Sequence, residues 1–240
     1  MGFLSTIKRN SRAISDHTAG TQYYFELATT NLALYRALRE AASQYVKGRC
    51  LDAGAGRMAY RRVLEEFCET YESLDIEPRD GITHVADLEE TGLPDEQYDS
   101  IFCTQVLHHV RDPRRALVEM ARCLKPGGRL ILTVPHLSWL HNEPHDYWRF
   151  TVHGIRHLLR QAGLEEIRIE PLGGLISFLA YAPSTVALAV LWQVRPLFRA
   201  GLALNRIFIR FALLLDRAFG ARSLYPVNYL CIARRPLPRA

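Results

Sequence analysis

Six short apolar runs, at 49–53, 71–75, 83–86, 99–104, 129–135 and 166–170, restrict what this chain can fold into more than any other feature. Stretches with helical spacing, at 58–69, 113–124 and 153–162, separate several of them. Short strands joined through helices pair in parallel, because the crossover must lie across the sheet to bring the next strand alongside. Such a sheet is covered on its faces and leaves a ligand crevice at the carboxyl ends of its strands. Upstream, Leu27, Leu34, Leu38 and Tyr45 recur on one side of a helix predicted over 22–46, which Lys47-Gly48 closes. Downstream, Lys125-Pro-Gly-Gly128 is expected to stop the helix at 113–124 and turn the chain into the next strand.

A chain of 240 residues can bury one sizeable core, and 48% hydrophobic with 23% charged residues excludes wholesale disorder. The five cysteines, at 50, 68, 103, 123 and 231, form no C-x-x-C pair. They read as reduced packing residues of a cytoplasmic protein, with neither a disulfide framework nor a zinc site expected. The opening residues lack the basic-then-apolar order of a secretory signal, and Gly2 with Thr6 formally matches an N-myristoylation pattern.

Gly54, Gly56 and Ala59, which follow the first run, satisfy G-x-G-x-x-A, and Asp75 lies 21 residues beyond Gly54 at the end of the next predicted strand. Spacing alone therefore admits a dinucleotide. Asp52 argues against one. A carboxylate just ahead of a turn meant for a pyrophosphate sets like charges against each other in a partly desolvated site. S-adenosylmethionine carries no phosphate and presents an ammonium and a sulfonium, so the same aspartate becomes favourable. Asp75 suits the ribose hydroxyls that both ligands share, and Asp87, ending the third predicted strand, can accept from an adenine amino group.

The series Leu51-Asp-Ala-Gly-Ala-Gly56, Ser73-Leu-Asp-Ile-Glu77, Ala86-Asp-Leu88, Tyr98-Asp99, Val106-Leu-His-His-Val110, Lys125-Pro-Gly-Gly-Arg-Leu130 and Pro135 resembles class I S-adenosylmethionine-dependent methyltransferases of the type 11 branch. The resemblance covers residues 49 to 170 in order. It implies an α/β fold with a Rossmann-like seven-stranded, mostly parallel sheet whose last strand, Asn228 to Arg234, is antiparallel. It also implies that Asp52, Gly54 and Gly56 hold the methionine part, Asp75 the ribose and Asp87 the adenine, while Gln105 lines the cofactor pocket. Many members carry glycine where this chain has Met58.

Methyl transfer from a sulfonium is an in-line displacement, so the protein must align the acceptor and, where needed, take its proton. His108 and His109 follow the fourth predicted strand, and a helix-start role is expected of them. The connection Pro135–Phe150 holds His136, His141, His145, Asp146, Tyr147 and Arg149, far more chemistry than a tether requires. His145 is the first candidate for base or acceptor positioning and His109 the second, with Tyr147 and Arg149 as substrate contacts. Thr151 is expected to cap the next helix. No metal is expected: Pro144 disfavours a helix that would align His141 with His145 and Asp146, and the helical pair His153 and His157 lacks a third ligand.

Charge is concentrated late in the chain. Residues 195–240 hold nine arginines against one aspartate, a surplus of eight in a chain whose total is +5. Pro171 through Val194 are 24 residues without a charge, interrupted by Gly173-Gly174 and Pro183, which favours an interfacial or re-entrant hairpin over a full span. Arg199, Arg206, Arg210 and Arg217, spaced 7, 4 and 7, keep to one narrow stripe of a helix, with Arg195 at its edge. Leu197, Leu204, Phe208, Phe211 and other apolar residues surround that stripe, as a helix lying in a membrane interface requires. A homodimer interface or a helical cap over the sheet is the competing reading. Nucleic acid is not expected, because the arginines are embedded in aliphatic residues.

The expected organisation is an N-terminal helical segment over 1–48, a methyltransferase core over 49–171, an apolar, arginine-striped helical insertion over 172–222, and a last strand with tail over 223–240. The expected activity is methyl transfer from S-adenosylmethionine to a hydroxyl of a small or lipid-linked amphipathic acceptor, on the cytoplasmic face of a membrane. An NAD-dependent oxidoreductase and a non-catalytic membrane-associated relative remain as alternatives.

Overall fold

The structure is a computed structural model that describes residues 2–140 and 143–238. Its strands are β1 (Arg49–Ala53), β2 (Thr70–Asp75), β3 (His84–Val85), β4 (Tyr98–Thr104), β5 (Leu124–Pro135), β6 (Glu165–Leu172) and β7 (Asn228–Arg234). Its helices are α1 (Phe3–Thr18), α2 (Gln22–Phe25), α3 (Thr29–Tyr45), α4 (Arg61–Glu65), α5 (Pro113–Cys123), α6 (Val152–Gln161), α7 (Leu175–Leu191), α8 (Arg195–Ala218) and α9 (Ala221–Leu224). The chain divides into two compact units, 37–170 with 228–240, and 1–36 with 171–227.

The first unit carries the sheet, whose order is β3-β2-β1-β4-β5-β7-β6. The pairs β1–β2, β2–β3, β1–β4 and β4–β5 are parallel, and β5–β7 is antiparallel with Ile131 opposite Ile232. The seven strands and the reversed last strand are those the sequence motifs implied. Strand order reverses between β1 and β4, since the chain first winds outward to β3 and then crosses back. In sheets of this kind such a switch point is where ligands bind, at the carboxyl ends of the strands. Beneath it, Leu51, Ile101, Leu117, Leu130, Leu132 and Cys231 are buried, so hydrophobic burial holds the strand ends in place. Asp112 caps α5 by accepting from the amides of Arg114 and Arg115, with Pro113 preset for the first helical position. Thr151 caps α6, its Oγ1 accepting from Gly154 N at 3.0 Å.

The second unit is helical. α7 and α8 form a hairpin, and Asp216, fully buried on α8, accepts from the amides of Ile176 and Ser177 at 2.9 and 3.0 Å and from the Ser177 hydroxyl. A carboxylate thus fills the positive N-terminal end of α7. Leu27, Ile14, Leu188 and Leu202 close one small core, and Leu32, Ile209 and Leu213 another. Among the described residues, no helix is long and apolar enough to cross a membrane.

Several expected boundaries change. The helix expected over 22–46 is broken between α2 and α3, because the Leu27 carbonyl accepts from Ser184 Oγ and Asn205 Nδ2 instead of continuing the helical ladder. The helix expected over 58–69 shrinks to α4, because Met58 has φ +52°, outside helical geometry. Lys125-Pro-Gly-Gly128 does end α5, yet it lies within β5 as an irregularity in the β4 pairing, with Gly127 N donating to Arg235 O at 2.9 Å. Pro183 stays inside α7 and does not interrupt it.

Candidate active site

The site grows from the ends of β1, β2 and β4. Gly54 and Gly56 have φ of +77° and +53°, the left-handed region where a Cβ is penalised. A Cβ on Gly54 would come within 2.4 Å of Val106, which follows β4, so the turns after β1 and β4 touch at the switch point only because residue 54 is glycine. A Cβ on Gly56 would meet nothing within 4 Å, so that amide turn borders open space.

Asp52 is 3% exposed, and the Tyr71 hydroxyl donates to its Oδ2 at 2.9 Å. Burial pushes its carboxyl up from 3.8 to about 7; the Tyr71 bond opposes this shift and the nearby Asp75 charge adds to it. Among the described residues no cation pairs with Asp52. Asp75 is half-buried, with Oδ2 accepting from Gly56 N at 2.7 Å and Oδ1 from Glu77 N at 3.0 Å, so the second acid holds the shape of the glycine turn. Beside it Ile76 is 65% exposed, an apolar face next to a carboxylate that sequence reasoning passed over. Asp87 is exposed and closes its own turn, accepting from Glu89 N at 2.9 Å.

Gln105, one residue beyond β4, has φ +54°, a conformation that costs about 1 kcal/mol in a non-glycine residue. Thr133 holds it there: its carbonyl accepts from Gln105 N at 3.1 Å, and its Oγ1 accepts from Gln105 Nε2 at 3.2 Å. Met58 adopts the same left-handed region, and its side chain reaches Gly81.

The connection after β5 folds back on the segment after β4. Tyr147 N donates to His108 O at 2.9 Å, and Trp148 Nε1 to Val110 O at 3.0 Å. His109 Nδ1 lies 2.5 Å from the His145 carbonyl; an oxygen there can only accept, so Nδ1 carries the proton and Nε2 is the basic nitrogen. His145 is exposed, its Nδ1 3.0 Å from the Tyr147 hydroxyl. His145, Tyr147 and His109 are therefore brought together.

Arg149 differs from its expected part as a substrate contact. It donates to Asp146 Oδ1 and Oδ2 at 2.6 and 2.8 Å, and to the carbonyls of Ser138, Trp139 and Trp148. Those five bonds use the whole donor set of a guanidinium. Arg149 clamps the connection.

His108, His109 and Asp146 bring their ligand atoms within 4.8 Å of one another, the one metal-capable trio among the described residues. It is not the grouping considered from sequence, and His141 lies outside the described residues. Asp146 also accepts from Arg149 with both oxygens.

Comparison with known proteins bears on this geometry. A family model described as a methyltransferase domain matches residues 25–168, more than half of the chain. The chain belongs to the methyltransferase-domain family. With that family goes S-adenosylmethionine as cofactor, and the residues present fit it: a buried carboxyl without a cation partner among the described residues, two left-handed glycines and an open amide turn.

The chain is 30% identical over 128 residues to the malonyl-[acyl-carrier protein] O-methyltransferase of Serratia marcescens, covering 49% of each chain. It is 33% identical over 89 residues to the ubiquinone biosynthesis O-methyltransferase of Dinoroseobacter shibae, covering 30% of this chain and 36% of that one. It thus spans half or less of the length of these curated relatives. Among solved structures, the [4+2]-cyclase SpnF matches with a TM-score of 0.58 at 20% identity, covering 84% of this chain and 80% of that one. A cyclase on this fold means that the reaction must be argued from the site.

Proposed function

We propose that this methyltransferase passes the methyl group of S-adenosylmethionine to a hydroxyl of a small or lipid-linked amphipathic acceptor, working peripherally on the cytoplasmic face of a membrane. The observation that carries the cofactor half is Asp52, buried beside two left-handed glycines and bonded to a tyrosine, with no cation partner among the described residues. An ammonium or sulfonium completes such a site, whereas a pyrophosphate meets it as like charge. This disfavours the nicotinamide alternative.

Asp52, Gly54 and Gly56 hold the methionine part in this reading, Asp75 the ribose, Asp87 the adenine amino group, and Ile76 offers its apolar face to the purine. Gln105 lines the pocket. The bound cofactor supplies an activated methyl on sulfur, released in line to the acceptor. His145 positions the acceptor hydroxyl or takes its proton, with Tyr147 in contact and His109 as the second candidate. Arg149 positions the loop. The curated O-methyltransferase relatives support oxygen as the acceptor atom.

The membrane half rests on α8. Its buried residues Leu202, Asn205, Ile209, Ala212 and Asp216 share one face, and the exposed Leu197, Leu204, Ile207, Phe208, Phe211 and Leu214 lie roughly opposite. At about 100° per residue the exposed apolar band is about 120° wide, with the arginine stripe along its flank. A second copy of the chain is the competing occupant of this face.

Calorimetric titration with S-adenosylhomocysteine tests the cofactor, with NADH as control and Asp75→Ala as variant. Binding is expected for the wild type, lost in the variant and absent for NADH; NADH binding instead would overturn the reading of Asp52. Flotation with lipid vesicles tests the membrane half, and a dimer in sedimentation without vesicle binding would refute it.

A further inference from the structure

We propose that Arg36, Arg210 and Arg217 form a headgroup site for an anionic phospholipid. The inference rests on the membrane reading above and adds the chemistry of the lipid. Leu32 on α3 packs on Ile209 and Leu213 of α8. One helical turn further along α3, Arg36 reaches the edge of that contact. Arg210 and Arg217, seven residues apart on the arginine stripe, join it, and the three arginines with Leu213 and Leu214 line a groove of ≈ 230 Å³.

Charge in this groove is undercompensated. Glu26 accepts from Arg210 at 3.0 Å, but its other oxygen is taken by Arg206 at 2.7 Å, and Arg206 also lies over the Tyr23 ring. Arg36 and Arg217 are exposed and have no ion pair among the described residues. The helical unit as a whole holds ten Lys and Arg against three Asp and Glu, and two of those acids, Glu26 and Asp216, are buried. Three arginines that line one groove with so little matching acid favour an anion there, and a phosphate offers several acceptor oxygens for charge-assisted bonds.

Two features favour a lipid phosphate over a free one. The groove wall is partly apolar, and Leu214 belongs both to the groove and to the exposed band with Leu204, Ile207, Phe208 and Phe211. An acyl chain and its headgroup therefore have adjoining surfaces on one helix. A soluble anion would use the arginines alone.

The test is flotation of the full chain with vesicles of phosphatidylcholine, with and without phosphatidylglycerol. The wild type is expected to prefer the anionic vesicles. Arg36→Gln with Arg217→Gln should weaken that binding roughly thirtyfold, at about fivefold for each charge near the surface, and leave binding to neutral vesicles unchanged. Arg36→Lys with Arg217→Lys should restore most of the preference, which separates lost charge from a damaged fold.

Equal binding of the wild type to both vesicles would overturn this site and leave the membrane reading standing; binding to neither would overturn both. Inorganic phosphate at ionic strength matched with chloride should displace no more protein than chloride does. Selective displacement by phosphate would assign the groove to a free anion and refute the lipid.

Discussion

The Tyr71 hydroxyl donates to the Asp52 carboxylate at 2.9 Å, and that bond joins two adjacent parallel strands under the glycine turn. It supports a carboxyl that burial holds near pKa 7. A cationic ligand favours the ionised form, so below that pKa binding must displace a proton. The affinity for S-adenosylmethionine should fall about tenfold between pH 8 and pH 6, and proton release should accompany binding at pH 6. Titrations in buffers of different ionisation enthalpy measure both. In Asp52→Asn the affinity should be weak and flat across this range; a steep dependence surviving in that variant would locate the proton elsewhere.

The same group sets a stability slope of opposite benefit. Folding raises the Asp52 pKa from 3.8 to about 7, so the folded chain binds the extra proton between these values and stability is lost as pH rises through them. The ceiling on this loss is on the order of 4 kcal/mol. Asp52→Asn cannot ionise. Its melting temperature should match the wild type near pH 4 and exceed it by a margin that grows up to pH 8, as thermal unfolding across that range would show.

The two glycines should separate fold from binding. Gly54→Ala places a Cβ at 2.4 Å from Val106 at φ +77°, so overpacking and backbone strain add, costing about 2–4 kcal/mol. Gly56→Ala meets open space at φ +53°, so only the backbone penalty of about 1 kcal/mol applies. Denaturant titration should therefore find Gly54→Ala the less stable of the two. S-adenosylhomocysteine affinity should nonetheless fall at least tenfold in Gly56→Ala. Unimpaired binding by that variant would mean the open turn is not where the ligand sits.

The sheet was legible because its central strands β4 and β5 carry the buried apolar runs Ile101–Cys103 and Leu130–Leu132 between turn signals, the pattern of strands covered on both faces. The acids were legible because they stand at strand ends. Tyr71 was not singled out, although Tyr71, Ser73 and Asp75 alternate along β2, and with period two they share the face that Asp52 uses. The helix break at Glu26–Ala28 was invisible for a different reason: it depends on Ser184 and Asn205, more than 150 residues away, claiming the Leu27 carbonyl. Met58 was noted as a departure from glycine, and its positive φ is the physical content of that departure. Arg149 was read as a substrate contact because residue type and loop position do not reveal how many donors are already used.

The loop after β5 makes the last prediction, since it separates a residue that acts on the acceptor from one that holds it in place. Asp146 has a side chain only 1% exposed, and Arg149 is its bidentate partner. Arg149→Ala removes the bidentate ion pair of a buried carboxylate, which costs about 3–5 kcal/mol, and gives up the bonds to the Ser138, Trp139 and Trp148 carbonyls. Limited proteolysis should nick that variant within 136–150, and the milder Arg149→Lys should show the same defect in smaller measure. His145→Ala breaks only an exposed contact with Tyr147, so its fold and its S-adenosylhomocysteine affinity should be unchanged, while kcat falls about a hundredfold if it takes the acceptor proton. If kcat holds in His145→Ala but falls in His109→Ala with cofactor binding intact, the base is His109, whose tautomer the His145 carbonyl fixes.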